Sequence, residues 1–303
     1  MEFFNPNSNV NFMGARRWSV LVSLLLVGIS IFSLSTRGLN LALDFTGGTL
    51  IEASFAQPAE QQDVVDALKQ AGFASPVVQR YDSRNFAIRL KPEASENVKI
   101  AEGDANSLGA RNTALSNQVK AALTATGNEV TLKPSVYVGP QVGKDLATGG
   151  IVAVIVVLLG IVFYIMLRFE WKFAVATVAT ELHDVILVVG FFSITQMDFD
   201  LAVLAAILAV DGYSVNDTIV VFDRVRELFK STRNLSPVEV LNRAVNSTLS
   251  RTIMTSLTTL LTVTALFLFG GEALRGFSLA LIIGIIVGTL SSIFFANPVL
   301  LWL

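Results

Sequence analysis

The sequence predicts a polytopic α-helical membrane protein with six transmembrane helices and one small α+β domain of ferredoxin-like βαββαβ order. Three observations carry that prediction. Six apolar runs are each long enough to cross a hydrocarbon core of ~30 Å. Charged residues make up 15% of the 303 residues, where soluble domains carry about 25%. One polar interval, Ser35 to Lys144, separates the first run from the other five.

The rest of the composition narrows the chemistry. Hydrophobic residues make up 52% and mean hydropathy is +0.61. A formal net charge of −2 gives no reason to expect nucleic acid, and the absence of cysteine with a single histidine excludes thiolate metal sites, disulfides and cysteine nucleophiles.

The spans run from Trp18 to Leu34, Gly149 to Leu167, Phe173 to Ile194, Phe199 to Val221, Leu249 to Phe269 and Phe277 to Phe295. The first follows Arg16 and Arg17 as a signal peptide would, but it lacks an A-x-A-like cleavage site and its apolar part is long, so it is expected to be a retained span. Basic residues favour the cytoplasmic side of short loops. Arg16 and Arg17, Arg168 and Lys172, then Arg224, Arg226, Lys230, Arg233 and Arg243 all fall on one side, and the opposite short loops carry only Arg275. Both termini are then cytoplasmic and the polar interval periplasmic. The expected organisation is a cytoplasmic N-terminus and first span (1–34), an outer domain (35–144) and a five-helix membrane domain (145–303).

Within the outer domain, Leu39 to Phe55 alternates and is rich in β-formers, while Pro58 to Ala71 places Val64, Val65 and Leu68 at helical spacing. Pro76 to Leu90 divides around Ser83-Arg84-Asn85 as a hairpin, a second helix covers about Ala110 to Ala125, and a strand runs from Glu129 to Val138. This β-α-β-β-α-β order is that of a split βαβ unit. Glu93 to Ser107, polar and rich in small residues, is expected to be a flexible insertion. Between spans four and five, Ser236-Pro237-Val238-Glu239 has the pattern of an N-cap, N1 proline and capping box, opening a short amphipathic helix near 236–246 on the cytoplasmic surface.

Polar groups at membrane depth are the candidate functional residues. They are Glu181, His183 and Asp184 in span three, Asp211, Tyr213, Ser214, Asn216 and Asp217 in span four, and Arg251, Thr255 and Ser256 in span five. Intramembrane charge is rare and marks function by default. Asp211 lies ~18 Å and Asp217 ~27 Å along the helix from Phe199, so Asp211 is the more central. Asp217 and Arg251 fall at comparable depth on antiparallel neighbours, and an ion pair between them is expected; the proton affinity of Asp217 would then follow its distance from Arg251. The bland alternative is a static salt bridge that fixes packing. Asp211 sits about 240° around the helix from Asp217, so the two do not share a face, and either a water-lined cavity or a helix contact accommodates it. Glu181 and Asp184 share a face at i,i+3 with His183 pointing elsewhere, His183 serving packing or proton relay. These residues do not offer a metal-ligand set. Gly284 and Gly288 form a GxxxG pattern suited to close helix approach, and Gly47-Gly48, with no Walker or GxGxxG context, is expected to form a turn or bulge.

Several of these runs resemble a known family. Leu43-Asp44-Phe45-Thr46-Gly47-Gly48-Thr49 resembles the LDFTGGT signature of the SecD/SecF protein-export family, within the resistance-nodulation-division superfamily. Val138-Gly139-Pro140, Phe169-Glu170-Trp171, His183-Asp184-Val185, Gly212-Tyr213-Ser214 with Asn216-Asp217, Ser250-Arg251-Thr252 and Phe269-Gly270-Gly271 are similar to further family blocks and cover nearly the whole chain. One small outer domain after the first span points to the SecF branch.

The resemblance implies a non-enzymatic subunit of a Sec translocase accessory complex in the bacterial inner membrane. Its partners would be SecD in a twelve-span assembly, SecYEG and YajC, and emerging preprotein on the periplasmic side. It implies protons as coupling ion with no cofactor, Asp217 and Arg251 as the proton-responsive pair, and Asp211, Asn216, Asp184, His183 and Thr255 as auxiliary polar residues. Two departures from the expected pattern stand out: Asp211 occupies a position usually aliphatic in the family, and the sequence stops at Leu303, so the short cytoplasmic tail expected of the family is absent or truncated. Two other readings are a small-molecule efflux subunit of the same superfamily and an intramembrane aspartyl protease pairing Asp184 with Asp211 or Asp217. A passive scaffold, indifferent to the proton gradient, is the third.

Overall fold

A computed structural model describes residues 10–73, 76–91, 108–232 and 234–303; the insertion expected at Glu93 to Ser107 lies outside them. Two compact units emerge, Met1–Asn40 with Gly150–Leu303, and Leu41–Gly149.

Among the described residues, six helical segments are long and apolar enough to cross a bilayer: Phe12–Thr36, Pro140–Arg168, Trp171–Thr195, Leu201–Ser231, Pro237–Phe269 and Leu274–Trp302. We label the helices α1 (Arg16–Thr36), α5 (Pro140–Arg168), α6 (Trp171–Thr195), α7 (Leu201–Ser231), α8 (Pro237–Phe269), α9 (Glu272–Phe294) and α10 (Ala296–Trp302), with α2 to α4 in the smaller unit. Each end has a local cause. The Asp200 side chain accepts from Val203 N at 2.7 Å to start α7. Ser236 and Glu239 form the expected capping box, with Pro237 at the first helical position.

One expectation fails here. The amphipathic helix near 236–246 is not a separate element but the first turns of α8, because no proline or glycine interrupts the chain from Val238 to Phe269. At the other end, the last apolar run breaks at Phe295 before Asn297-Pro298, so α10 starts as a new helix.

Small residues let these helices close on one another. A Cβ on Gly284 would lie 2.4 Å from Val210 Cγ1 and one on Gly288 2.9 Å from Ser214 Cβ, so the GxxxG stripe of α9 presses directly against α7. Where α1 packs on α6, a Cβ on Gly190 would meet Ser30 at 2.3 Å, and Ser33 and Ser193 share a hydrogen bond of 2.8 Å. Without a hydrophobic driving force between helices in lipid, such close backbone contact supplies the packing energy. Gly284→Val is therefore expected to destabilise the membrane unit by about 1–3 kcal/mol, the usual cost of overpacking, read as a lower unfolding midpoint in detergent.

The smaller unit is an α+β domain. Its elements are α2 (Leu43–Thr46), β1 (Gly48–Phe55), α3 (Gln61–Gln70), β2 (Val77–Arg80), β3 (Asn85–Leu90), α4 (Leu108–Thr124), β4 (Val130–Leu132) and β5 (Val136–Val138). The sheet order is β2-β3-β1-β4, with β5 also on β1, and every pair is antiparallel. This is the ferredoxin-like order, its last strand in two pieces. The register explains the interruption: β4 pairs Phe55 with Val130 and β5 pairs Leu50 with Val136. Pro134 falls between them and has no N–H to give the ladder. The core joins alternate sheet residues Ile51, Ala53 and Phe55 to Val64 and Leu68 of α3 and Leu115, Val119 and Leu123 of α4.

The strand expected from Leu39 starts only at Gly48, because Leu43 to Thr46 coil into one helical turn closed by Gly47 N on Leu43 O at 2.8 Å. Gly47 and Gly48 have φ of 67° and 120°, and a Cβ on Gly48 would lie 2.4 Å from Leu90 O. Only glycine suits such a turn.

The β2–β3 turn is organised by Asp82. Its Oδ1 accepts from Arg84 N at 2.6 Å and Asn85 N at 2.8 Å, and its Oδ2 from Asn85 Nδ2 at 2.7 Å. These donors hold the Asp82 carboxyl below its ordinary value of 3.8. A depressed folded value means the turn is fully supported above the ordinary value and loses that support as pH falls through the folded one. Protection of the Arg84 and Asn85 amides, exchange being measured relative to the intrinsic rate at each pH, is expected to fall on acidification, and Asp82→Asn to remove that fall.

Candidate functional site

The candidate site is a set of polar side chains carried into apolar surroundings by α6, α7, α8 and α9. Its best-satisfied member is Asp184. Its Oδ2 accepts from Ser214 Oγ of α7 at 2.6 Å and Ser291 Oγ of α9 at 2.7 Å, while Oδ1 shares a hydrogen bond of 2.8 Å with His183 Nδ1. All four residues are buried. His183 was expected to point away from this face; instead it bonds Asp184 and stacks on Phe295 with ring centroids 4.3 Å apart. Asp184 thus ties three spans together, and its oxygens go to these donors rather than into the protease-like dyad with Asp211 or Asp217.

Asp217 sits on α7 at 3% exposure, and its Oδ2 has no hydrogen-bond partner. Arg251 and Ser256 of α8 face it. The expected ion pair is not formed: among the described residues no salt bridge joins Asp217 to Arg251, whose side chain is exposed. Guanidinium and carboxylate are within electrostatic reach of one another without contact. Beside them, Ser256 Oγ shares a hydrogen bond of 2.7 Å with Thr289 Oγ1 of α9 and accepts from Tyr213 OH at 3.3 Å.

The remaining candidates divide clearly. Asn216 is exposed beside Asp217, and Thr255 Oγ1 turns back onto the carbonyls of Arg251 and Thr252 at 3.1 and 3.0 Å. Asp211 is buried and faces Glu181 of α6. Ser291 and Thr289, which bring α9 into the polar network, were missed in the sequence; the signal was a run of hydroxyl residues, Thr289, Ser291 and Ser292, inside an apolar span. Among the described residues no group of three or more His, Asp or Glu is arranged to hold a metal.

The Protein export membrane protein SecD/SecF C-terminal model matches residues 118–303, and the SecD/SecF GG motif matches residues 32–59, which contain Gly47 and Gly48. A protein translocase subunit SecF from Pseudomonas aeruginosa is 46% identical over 97% of this chain and 91% of its own length. The chain belongs to the SecF family. A SecF from Vibrio alginolyticus is 42% identical over 95% of the chain and 89% of its own. The crystal structure of SecDF from Thermus thermophilus, a translocon-associated membrane protein, superposes with a TM-score of 0.85 at 35% identity over 99% of this chain. SecDF in a super-membrane-facing form gives a TM-score of 0.68 at 37% identity. This chain spans 39% of either SecDF chain. As a SecF-family member with six spanning helices, it is a multi-pass membrane protein and a translocase subunit.

Proposed function

We propose that this chain uses the proton motive force to assist late steps of preprotein export across the bacterial inner membrane, paired with SecD and working beside SecYEG and YajC. Both termini would be cytoplasmic and the Leu41–Gly149 unit periplasmic, where preprotein emerges. The supporting observation is Asp217: a buried carboxyl with an unpartnered oxygen, one helix away from an arginine that it does not touch. A carboxyl so placed has two stable arrangements. Ionised, it draws Arg251 toward it; protonated, it releases it. Because α9 packs on both α7 and α8, a change in their spacing would be carried to the rest of the membrane unit and on to the outer domain.

The magnitude suffices to drive such a change, since one charge crossing 100 mV is worth ~2.3 kcal/mol. The test is preprotein translocation into vesicles holding the complete SecD-containing complex, with and without a proton gradient. The gradient is expected to stimulate late translocation only when this chain is present. Equal translocation with the gradient dissipated would reduce the chain to a scaffold.

A further inference from the structure

Deep in the membrane unit, two carboxyls have oxygens that receive no donor among the described residues. Glu181 of α6 is 1% exposed and neither of its oxygens has a hydrogen-bond partner; Asp211 of α7 is 2% exposed and its Oδ1 is in the same condition. Within side-chain hydrogen-bonding reach of each lies the carboxyl of the other. Two carboxylates cannot bond to one another, because both only accept; a single proton between them makes one a donor and satisfies both. Two buried like charges in contact, with no cation and no donor, would carry a large desolvation cost.

We infer that Glu181 and Asp211 form a carboxyl dyad that binds one shared proton, a second proton site in the membrane unit besides Asp217. The surroundings leave the proton as the occupant. Asp184, one turn along α6, acts electrostatically on both members, but its oxygens are taken by Ser214, Ser291 and His183, so it supplies neither donor nor cation. His183 Nδ1 is held in its hydrogen bond with Asp184 Oδ1. Asp217 lies about 240° around α7 from Asp211, and Arg251 of α8 faces Asp217. In the sequence, α1 and α9 carry charge only near their ends, at Arg16 and Arg17 and at Glu272 and Arg275, and α10 carries none. No group of three or more His, Asp or Glu that could hold a metal ion is present among the described residues.

The dyad also accounts for Asp211, which is tolerated at mid-span because Glu181 stands opposite to share its proton. Neither acid alone would be satisfied there.

The test is independent of export, since it reads proton occupancy. Infrared spectra of the full chain in lipid vesicles at neutral pH are expected to show a buried protonated-carboxyl band that shifts in deuterium oxide. Glu181→Gln and Asp211→Asn should each abolish it, because the new amide donates in place of the shared proton and keeps the hydrogen bond; Asp217→Asn should leave it. The two substitutions approach the pair from opposite sides, so failure of one variant to fold leaves the other to decide. A band that survives both substitutions, or is missing from the unsubstituted chain, overturns the proposal. So does a band present in potassium and lost in sodium at the same pH, which would make the occupant a cation.

Discussion

Replacing Asp184 with alanine is expected to lower the stability of the membrane unit by about 2–5 kcal/mol, the loss of three hydrogen bonds inside a membrane protein at roughly 0.6–1.7 kcal/mol each. The loss is large because one carboxylate joins α6, α7 and α9, so its removal takes the acceptor from Ser214, the partner from His183 Nδ1, and leaves Ser291 with the Gly288 carbonyl alone. Asp184→Asn keeps one acceptor oxygen but turns an N–H₂ toward the other donors, and should fall between the two. Unfolding in mixed detergent micelles measures the order: unsubstituted chain, then asparagine, then alanine. Equal stability of the alanine variant would mean that water or lipid satisfies these hydroxyls in its place.

How much of this was legible in the sequence depends on where each partner sits. The spans were legible because apolar length is a local property, and so was the Ser236–Glu239 cap, which lies within four residues. The ferredoxin-like order was legible because turn residues such as Asp82 and Asn85 punctuate it. Other features depend on register between distant segments. The continuity of α8 was hidden because its first turns are amphipathic and its later ones apolar, a change of pattern without a change of backbone. The helical turn at Leu43–Thr46 was hidden by β-forming residues that close on Gly47 only because Gly48 must pass beneath Leu90. In the candidate site, Arg251 was legible opposite Asp217 from helix depth alone, but the partners of Asp184 were not: Ser291 lies 107 residues from it, and only the packing of α6 on α7 sets Glu181 against Asp211. Depth is written in one helix; contact needs two.

The second large effect concerns Asp217 and Arg251 together. Asp217→Asn and Arg251→Met are each expected to abolish proton-gradient-dependent export while leaving folding, association with SecD and gradient-independent export intact. If coupling one charge to 100 mV supplies ~2.3 kcal/mol, its loss corresponds to as much as about a 50-fold change in the gradient-stimulated rate. Asparagine fixes position 217 in a neutral form that resembles the protonated acid, and methionine removes the cation while keeping a long side chain. The two variants should therefore fail in the same way, and the double variant no further, since either one breaks the same switch. Translocation of a preprotein into vesicles with and without an imposed gradient makes the comparison. Normal stimulation in either single variant would exclude the pair as the switch.

The central claim is that protonation of Asp217 sets its distance from Arg251, and that distance is directly measurable. Solid-state magnetic resonance of the lipid-embedded SecD-containing complex, with labelled carboxyl carbons and guanidinium nitrogens and the Asp217→Asn spectrum subtracted, reports the separation between the Asp217 carboxyl carbon and the Arg251 guanidinium. The account predicts ion-pair contact at alkaline pH and a longer separation, like that of the unpaired arrangement described above, once the medium is acid enough to protonate Asp217. One unchanging separation across that range would contradict it.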